Sequence, residues 1–132
     1  MKEELLKIAK TVINNSYSPY SHFKVAAVIK LKNGKTYYGV NIENASYGLT
    51  NCAERTCLFK AYSEGIKKED ILAILIYAPK SSEITPCGAC RQVMVELMNL
   101  DARVFLTNGD KIIEKTVGFF MPLPFLPEAL DK

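Results

Sequence analysis

The apolar positions of this chain change period several times, and each change marks an element. Between residues 3 and 14, Leu5, Ile8, Ala9 and Val12 fall on one stripe while Lys7 and Lys10 lie off it, the spacing of an amphipathic helix. Ser16-Tyr17-Ser18-Pro19-Tyr20-Ser21 interrupts that pattern, because the residue before Pro19 is biased out of the helical region. From Phe23 to Leu31 the period falls to two, with Phe23, Val25, Ala27, Ile29 and Leu31 on one face of a predicted strand. Asn33-Gly34 is a strong hairpin signal, so Thr36 to Ile42 is predicted to return as the paired strand. Glu43 to Asn51 reads as a polar loop. Helical spacing resumes over residues 52–64 with Ala53, Cys57, Leu58 and Ala61, and Gly65 is a plausible stop. Ile71 to Ala78 is a nearly continuous apolar run, typical of a strand buried on both faces. A loop from Pro79 to Pro86 leads to a helix from Cys87 to about Leu97. Ala102 to Leu106 is a short strand, Asn108-Gly109-Asp110 turns the chain, and Lys111 to Thr116 is a last strand.

The order is helix, hairpin, helix, strand, helix, strand, strand. Two helical crossovers imply a mixed sheet of roughly five strands with helices on its faces, an α/β layered domain. The 132 residues suit one domain spanning 1–132, and no internal repeat or low-complexity linker divides them. The end of the chain differs from the rest. Phe119-Phe120-Met121-Pro122-Leu123-Pro124-Phe125-Leu126 is apolar, yet its prolines rule out a regular helix or central strand. It packs over its own domain, or another subunit buries it.

Composition narrows the function classes. Hydrophobic residues make up 48% and charged residues 23%, an ordinary balance for a globular protein. No apolar run approaches the roughly 20 residues of a membrane span, so no membrane partner is expected. Met1 to Lys10 alternates charge with Leu and Ile and lacks the apolar block of a signal peptide, which makes the cytoplasm the expected compartment. The net charge of +3 is small and its Lys and Arg are scattered, so a nucleic acid polymer is not an expected partner.

The cysteines carry the chemistry. Three of the four stand in Cys52-Ala53-Glu54 and Pro86-Cys87-Gly88-Ala89-Cys90, which is metal spacing rather than a disulfide framework. Three thiolates leave one corner of a tetrahedral zinc open, the coordination of a catalytic metal rather than a closed structural one. Both halves of the motif are predicted to open helices, where unpaired N–H groups and the helix dipole favour thiolate. Cys87 and Cys90, three residues apart on a first turn, can reach one metal. Glu54, two residues after the first ligand, is suited to take a proton from water and deliver it to a ring nitrogen. Zinc deaminases of nucleobases show this arrangement as His-x-Glu…Pro-Cys-x-x-Cys, with all-cysteine variants; here Cys52 stands for the histidine. Three thiolates make the site electron-rich, and Arg55 is the candidate for a compensating charge, against its reading as a surface helix arginine. Cys57 lies about 500° round the helix, about 140° from Cys52, so it points elsewhere, as a small core residue.

Other candidates are weaker on the residues alone. Asn41 and Glu43 alternate at the end of a strand and share a face, fit either to bond sugar hydroxyls or to close a turn. Phe23 reads as core or as a stacking platform, with core preferred. His22, the single histidine, reads as a loop or surface residue.

Taken together these stretches resemble the small, homotetrameric cytidine deaminases of pyrimidine salvage. The similarity runs through Ser18-Pro19-Tyr20-Ser21-His22-Phe23-Lys24-Val25, then from Gly39 through Asn41-Ile42-Glu43-Asn44-Ala45-Ser46-Tyr47 to Cys52-Ala53-Glu54-Arg55, then Pro86-Cys87-Gly88-Ala89-Cys90-Arg91-Gln92. The resemblance implies a three-layer α/β/α domain and one Zn²⁺ per subunit on Cys52, Cys87 and Cys90. It further implies proton transfer by Glu54, thiolate support by Arg55, and ribose bonding by Asn41 and Glu43. Phe23 would then lie against the pyrimidine, in place of the core role. Tyr47 would lie near a neighbouring subunit's substrate, the Ala53 main chain would help read the base, and Phe125 would be the tail aromatic buried at a neighbour's site. Two departures stand out: Ala26 replaces the family's usual glycine, where a methyl is expected to crowd a packed strand, and the tail Met121-Pro122-Leu123-Pro124-Phe125 differs from the commoner Leu-Leu-Pro-Gly-Ala-Phe.

Three other readings remain open at this point. One is a relative acting on a cytosine-bearing antibiotic nucleoside, as blasticidin S deaminases do. Another is a polynucleotide deaminase. The last is a structural zinc module that binds a partner, which would need a fourth protein ligand and would have no use for Glu54.

Overall fold

The amphipathic stretch at the start forms α1 (Lys2–Val12) and continues through one 3₁₀ turn, Ile13–Asn15. Glu3 and Glu4 occupy its first turn and Lys10 its last, which matches the helix dipole at both ends. The computed structural model describes residues 1–130. β1 (Ala26–Leu31) and β2 (Thr36–Val40) form the hairpin, with Gly34 at φ +90° in its turn. α2 (Ala53–Ser63) follows and stops before Gly65, whose φ of +92° few other residues would adopt. Then come β3 (Ile71–Tyr77), α3 (Gly88–Leu97), β4 (Arg103–Thr107) and β5 (Ile112–Thr116).

The five strands lie in the order β2-β1-β3-β4-β5. Only β3 and β4 are parallel, and α3 is the crossover that parallel neighbours require. The sheet is a middle layer. On one face Leu5, Ala9 and Val12 of α1 pack against Ala26, Val28 and Leu75. On the other face Leu58 of α2 and Met94 of α3 pack against Ile29, Ile74 and Ile76. This is the three-layer α/β/α arrangement. β1 is thus covered on both faces, like β3, and the methyl of Ala26 is fully buried in the α1-side layer.

β1 begins at Ala26 rather than at Phe23, because ahead of it the Asn41 side chain takes over most of the pairing, beside one backbone bond from Asn41 N to the Val25 carbonyl at 3.2 Å. Asn41 Nδ2 donates to the Phe23 carbonyl at 2.8 Å, and Asn41 Oδ1 accepts from the Val25 amide at 2.9 Å. Residues 23–25 are therefore held beside the end of β2 chiefly by that side chain. The proline-rich tail divides its apolar residues. Val117 and Phe120 are buried, with Met121 and Leu126 against the same core, whereas Phe119, Leu123 and Phe125 are exposed.

The position of α2 depends on Gly39. A Cβ at residue 39 would stand 2.4 Å from the backbone nitrogen of Cys57 and 2.9 Å from the carbonyl oxygen of Ala53. Both are backbone atoms, so no side-chain rotation relieves the clash. Gly39→Ala is expected to destabilise the fold by about 1–3 kcal/mol, the usual cost of overpacking. Denaturant unfolding should show a lower midpoint; an unchanged midpoint would mean that α2 can retreat freely from the sheet.

Candidate metal centre and active site

α2 and α3 pack on the same sheet face, and their N-termini meet. Cys52 is the N-cap of α2 and Cys87 the N-cap of α3. Each cap carbonyl accepts the first helical bond, from Thr56 N at 3.0 Å and from Arg91 N at 2.9 Å. Cys90 lies one turn into α3. The three sulfurs all fall within 4.8 Å of one another, and Cys52 Sγ is 3.6 Å from Cys87 Sγ. A tetrahedral zinc with Zn–S bonds of about 2.3 Å spaces its sulfurs about 3.8 Å apart. The donor set therefore fits zinc in both element type and spacing.

Electrostatics at the cluster point the same way. The Cys52 thiol is drawn down to about 5, chiefly by the hydrogen bond from Cys90 and then by those from Arg55 and Cys87, against the opposing effect of burial. Cys90 is pushed up, because it is the donor to Cys52 and is buried beside it. The cluster thus holds one thiolate readily and resists a second, and a divalent cation is the partner that lets all three ionise. Arg55 Nη2 lies 3.2 Å from Cys52 Sγ, so this arginine faces the sulfurs instead of projecting from the helix into water. Its Nε is buried without a hydrogen-bond partner, the one such side-chain atom among the described residues. Burial pushes the Cys57 thiol up, and it lies fully inside the core, 3.4 Å from the carbonyl oxygen of Tyr37.

A cavity of about 420 Å³ opens beside the cluster. Cys52, Ala53, Glu54 and Cys87 form its floor, Phe23 and Val25 one apolar wall, and Ile84 and Thr85 contribute from the loop before α3. Glu54 is 4% exposed, and burial lifts its carboxyl to about 7, with the Cys52 thiolate adding to the rise. A carboxyl held there can both accept and release a proton near neutrality.

The polar wall comes from the end of β2. Ile42 and Asn51 exchange both backbone hydrogen bonds at 2.9 Å, which closes the loop between them at its base and sets Glu43 opposite Thr50. Asn41 Oδ1 accepts from Ser16 Oγ at 2.6 Å as well as from the Val25 amide, so one Nδ2 hydrogen is its free donor into the cavity. Glu43 Oε1 accepts from the Tyr20 and Ser21 amides at 3.0 and 3.1 Å, and Ser21 Oγ donates to Oε2. The Ser21 hydroxyl leads the effects that hold this carboxyl below its ordinary value.

Two of the expected residues, both assigned to a neighbouring subunit's site, lie outside this cavity. Tyr47 is 77% exposed, in a shallow pocket with Tyr20 adjoining the main cavity. Phe125 is 58% exposed and lines no part of its own chain's cavity; its carbonyl accepts from Gln92 Nε2 at 2.8 Å. His22 is exposed, as expected. Sequence reasoning missed Ser21, Val25, Thr50, Asn51, Ile84 and Thr85 as lining residues. Asn51 and Thr50 sat inside the recognised stretch, whereas Ile84 and Thr85 lie in a loop with no periodic signal.

Comparison with known proteins agrees with this geometry. The family model for the cytidine and deoxycytidylate deaminase zinc-binding region matches residues 1–107. The chain belongs to this family. It is 49% identical over 132 residues to a cytidine deaminase of Halalkalibacterium halodurans, covering 98% of each chain. It is 44% identical to a cytidine deaminase of Sporosarcina psychrophila, covering 98% of this chain and 94% of that one. The crystal structure of a cytidine deaminase from Burkholderia pseudomallei superposes with a TM-score of 0.88 at 41% identity, covering 95% of this chain and 99% of that one. No helix among the described residues is long and apolar enough to cross a membrane.

As purified, the protein should carry about one zinc per chain. Cys87→Ala should lose that zinc, measured by elemental analysis after dialysis against a chelator. Full occupancy in the variant would show that the ligand set is wrong.

Proposed function

We propose that the chain catalyses the hydrolytic deamination of cytidine and 2′-deoxycytidine to uridine and 2′-deoxyuridine, with release of ammonia, in pyrimidine salvage. One observation carries this reading: a buried carboxyl, Glu54, stands beside a three-sulfur metal site at the floor of a nucleoside-sized cavity. Zinc held by Cys52, Cys87 and Cys90 supplies a Lewis acid that makes a water molecule reactive at neutral pH. Glu54 takes a proton from the attacking water and gives it to the ring nitrogen next to the amino-bearing carbon. That carbon gains a C–O bond; Glu54 then takes the second proton from the newly added hydroxyl and passes it to the amino group, so that the oxygen becomes the product carbonyl, the C–N bond breaks and ammonia leaves. Arg55 offsets the surplus charge of the thiolates. Phe23 lies against the pyrimidine, the Ala53 main chain helps to read it, and Asn41 with Glu43 bonds the ribose.

The cavity favours a nucleoside over its phosphate ester. Among the described residues its lining includes the carboxylates of Glu43 and Glu54 and neither Lys nor Arg, so a phosphate would find no cationic partner among them. The site needs a fourth, open coordination position for this chemistry, and the metal-holding group consists of three thiols, which disfavours a closed structural zinc. All four cysteines are free, which suits the reducing cytoplasm. The described residues share one sheet, which supports a single catalytic domain over 1–132.

Assembly is the second part of the reading. Phe119, Leu123 and Phe125 are exposed on the tail, and Tyr47 and Leu49 beside the sugar wall, which is more apolar surface than an isolated site of this size usually leaves in water. We assign the chain to a homotetramer in which Phe125 and Tyr47 approach a neighbour's substrate.

A spectrophotometric assay over cytidine, 2′-deoxycytidine, cytosine, adenosine and blasticidin S tests the substrate. Glu54→Gln should fold and retain zinc, and lose at least about 10²–10⁴-fold in turnover, the usual contribution of a general acid/base. Near-normal turnover would remove Glu54 from the mechanism. Deleting residues 119–132 should lower both oligomer size, by light scattering, and activity; an active full-length monomer at assay concentration would defeat the shared-site arrangement.

A further inference from the structure

The segment between α1 and β1 is tied to the sugar wall by one hydroxyl that serves two masters. Ser21 Oγ donates its single hydrogen to Glu43 Oε2 and accepts from the Phe23 amide at 3.0 Å. The Ser21 and Tyr20 amides hold the other carboxylate oxygen. Phe23 is gripped at its far end as well, through its carbonyl, by Asn41. A hydroxyl has one proton to give, so its loan to the carboxylate fixes which lone pair remains for Phe23. Glu43 would otherwise be a half-exposed side chain with free rotamers at the mouth of the cavity. Three donors on its two oxygens turn it into an oriented acceptor, with the remaining lone pairs free for a ligand. Ser21 itself is exposed and packs no core, so its removal leaves the hydrophobic layers intact.

We propose that Ser21 is the positioning residue of the nucleoside site, setting the Glu43 carboxylate toward the sugar and the Phe23 backbone toward the base through one hydroxyl. The inference rests on the proposed nucleoside reading. It makes Ser21 a determinant of sugar selectivity: the rigid carboxylate rewards a sugar bearing hydroxyls, and a loose one does not. Donors to the ionised form also keep Glu43 charged, in keeping with its lowered titration.

The test compares wild type, Ser21→Ala and Ser21→Thr on cytidine and on 2′,3′-dideoxycytidine, whose sugar lacks both ring hydroxyls. Ser21→Ala should lower kcat/KM on cytidine by about tenfold to a hundredfold, the range for a hydrogen bond to a charged group, and by less than about twofold on the dideoxynucleoside. Ser21→Thr, which keeps the hydroxyl, should recover most of the loss. On a Glu43→Gln background the Ser21→Ala penalty should shrink, because the two changes act through one contact. Equal losses on both substrates, or an unchanged rate on cytidine, overturns the proposal. A second readout is independent of turnover. The Glu43 carboxyl, followed by ¹³C NMR, should titrate below its ordinary value in wild type and move upward in Ser21→Ala. A protein that leaves cytidine untouched overturns the nucleoside reading, and the Glu43 titration then decides on Ser21 by itself: an identical midpoint in the two proteins removes its positioning role.

Discussion

A side chain at residue 39 would put its Cβ 2.4 Å from a backbone nitrogen of α2, nearer than unbonded atoms can stand. Because residue 39 is glycine, the first turns of α2 rest directly on the backbone of β2. That contact fixes where the helix starts, and so fixes Cys52, Ala53 and Glu54 together. The opposite half of the site is fixed by α3, which must lie on the same face because it is the crossover between the parallel strands β3 and β4. Two independently anchored helix N-termini are thereby brought close enough for three sulfurs to fall within 4.8 Å. A metal site built on loops would have to order those loops at each binding event; this one is set by the packing of the sheet.

The same approach decides the charges. Two helix N-termini aimed at one point favour thiolate, but three sulfurs in contact cannot all ionise without a cation. The lowered Cys52 and the raised Cys90 express that conflict. Arg55 moderates it from the side, 3.2 Å from Cys52 Sγ. Glu54, one residue earlier and buried, is raised toward neutrality by the loss of water around it. Adjacent positions at one helix start thus give a permanent cation turned to the sulfurs and a carboxyl raised toward neutrality that lines the cavity.

The polar wall of the cavity is organised by different means. Asn41 and Glu43 are anchored by the Ser16–Val25 segment, which belongs to no strand and is tied to them by their side chains together with backbone bonds at Tyr17 and Val25. Cavity-lining groups and scaffold are the same atoms here. A disturbance of that segment is felt in the cavity first, because the Asn41 and Glu43 side chains bond the segment and line the cavity at once.

Most of the secondary structure and the metal motif were legible in the residue order. The Leu5, Ile8, Ala9, Val12 stripe, the Asn33-Gly34 turn, the Gly65 stop and the apolar Ile71–Ala78 run each carry a local physical signal, and the elements fell within a few residues of their expected ends. The Cys-x-Glu and Pro-Cys-x-x-Cys spacings are likewise local, since three residues of helix bring two sulfurs together wherever the helix lies. What tertiary structure decided was everything that requires two distant segments to meet. The start of β1 shifted from Phe23 to Ala26 because Asn41 supplies its bonds from another strand. The side of α2 from which Arg55 projects became meaningful only with Cys52 in place beside it. Ile84 and Thr85 entered the cavity wall through a loop without periodicity, and the tail divided into a buried Phe120 and an exposed Phe125 according to which core lay beneath. Periodicity encodes which face of an element is apolar; only the packed sheet determines which other face it meets.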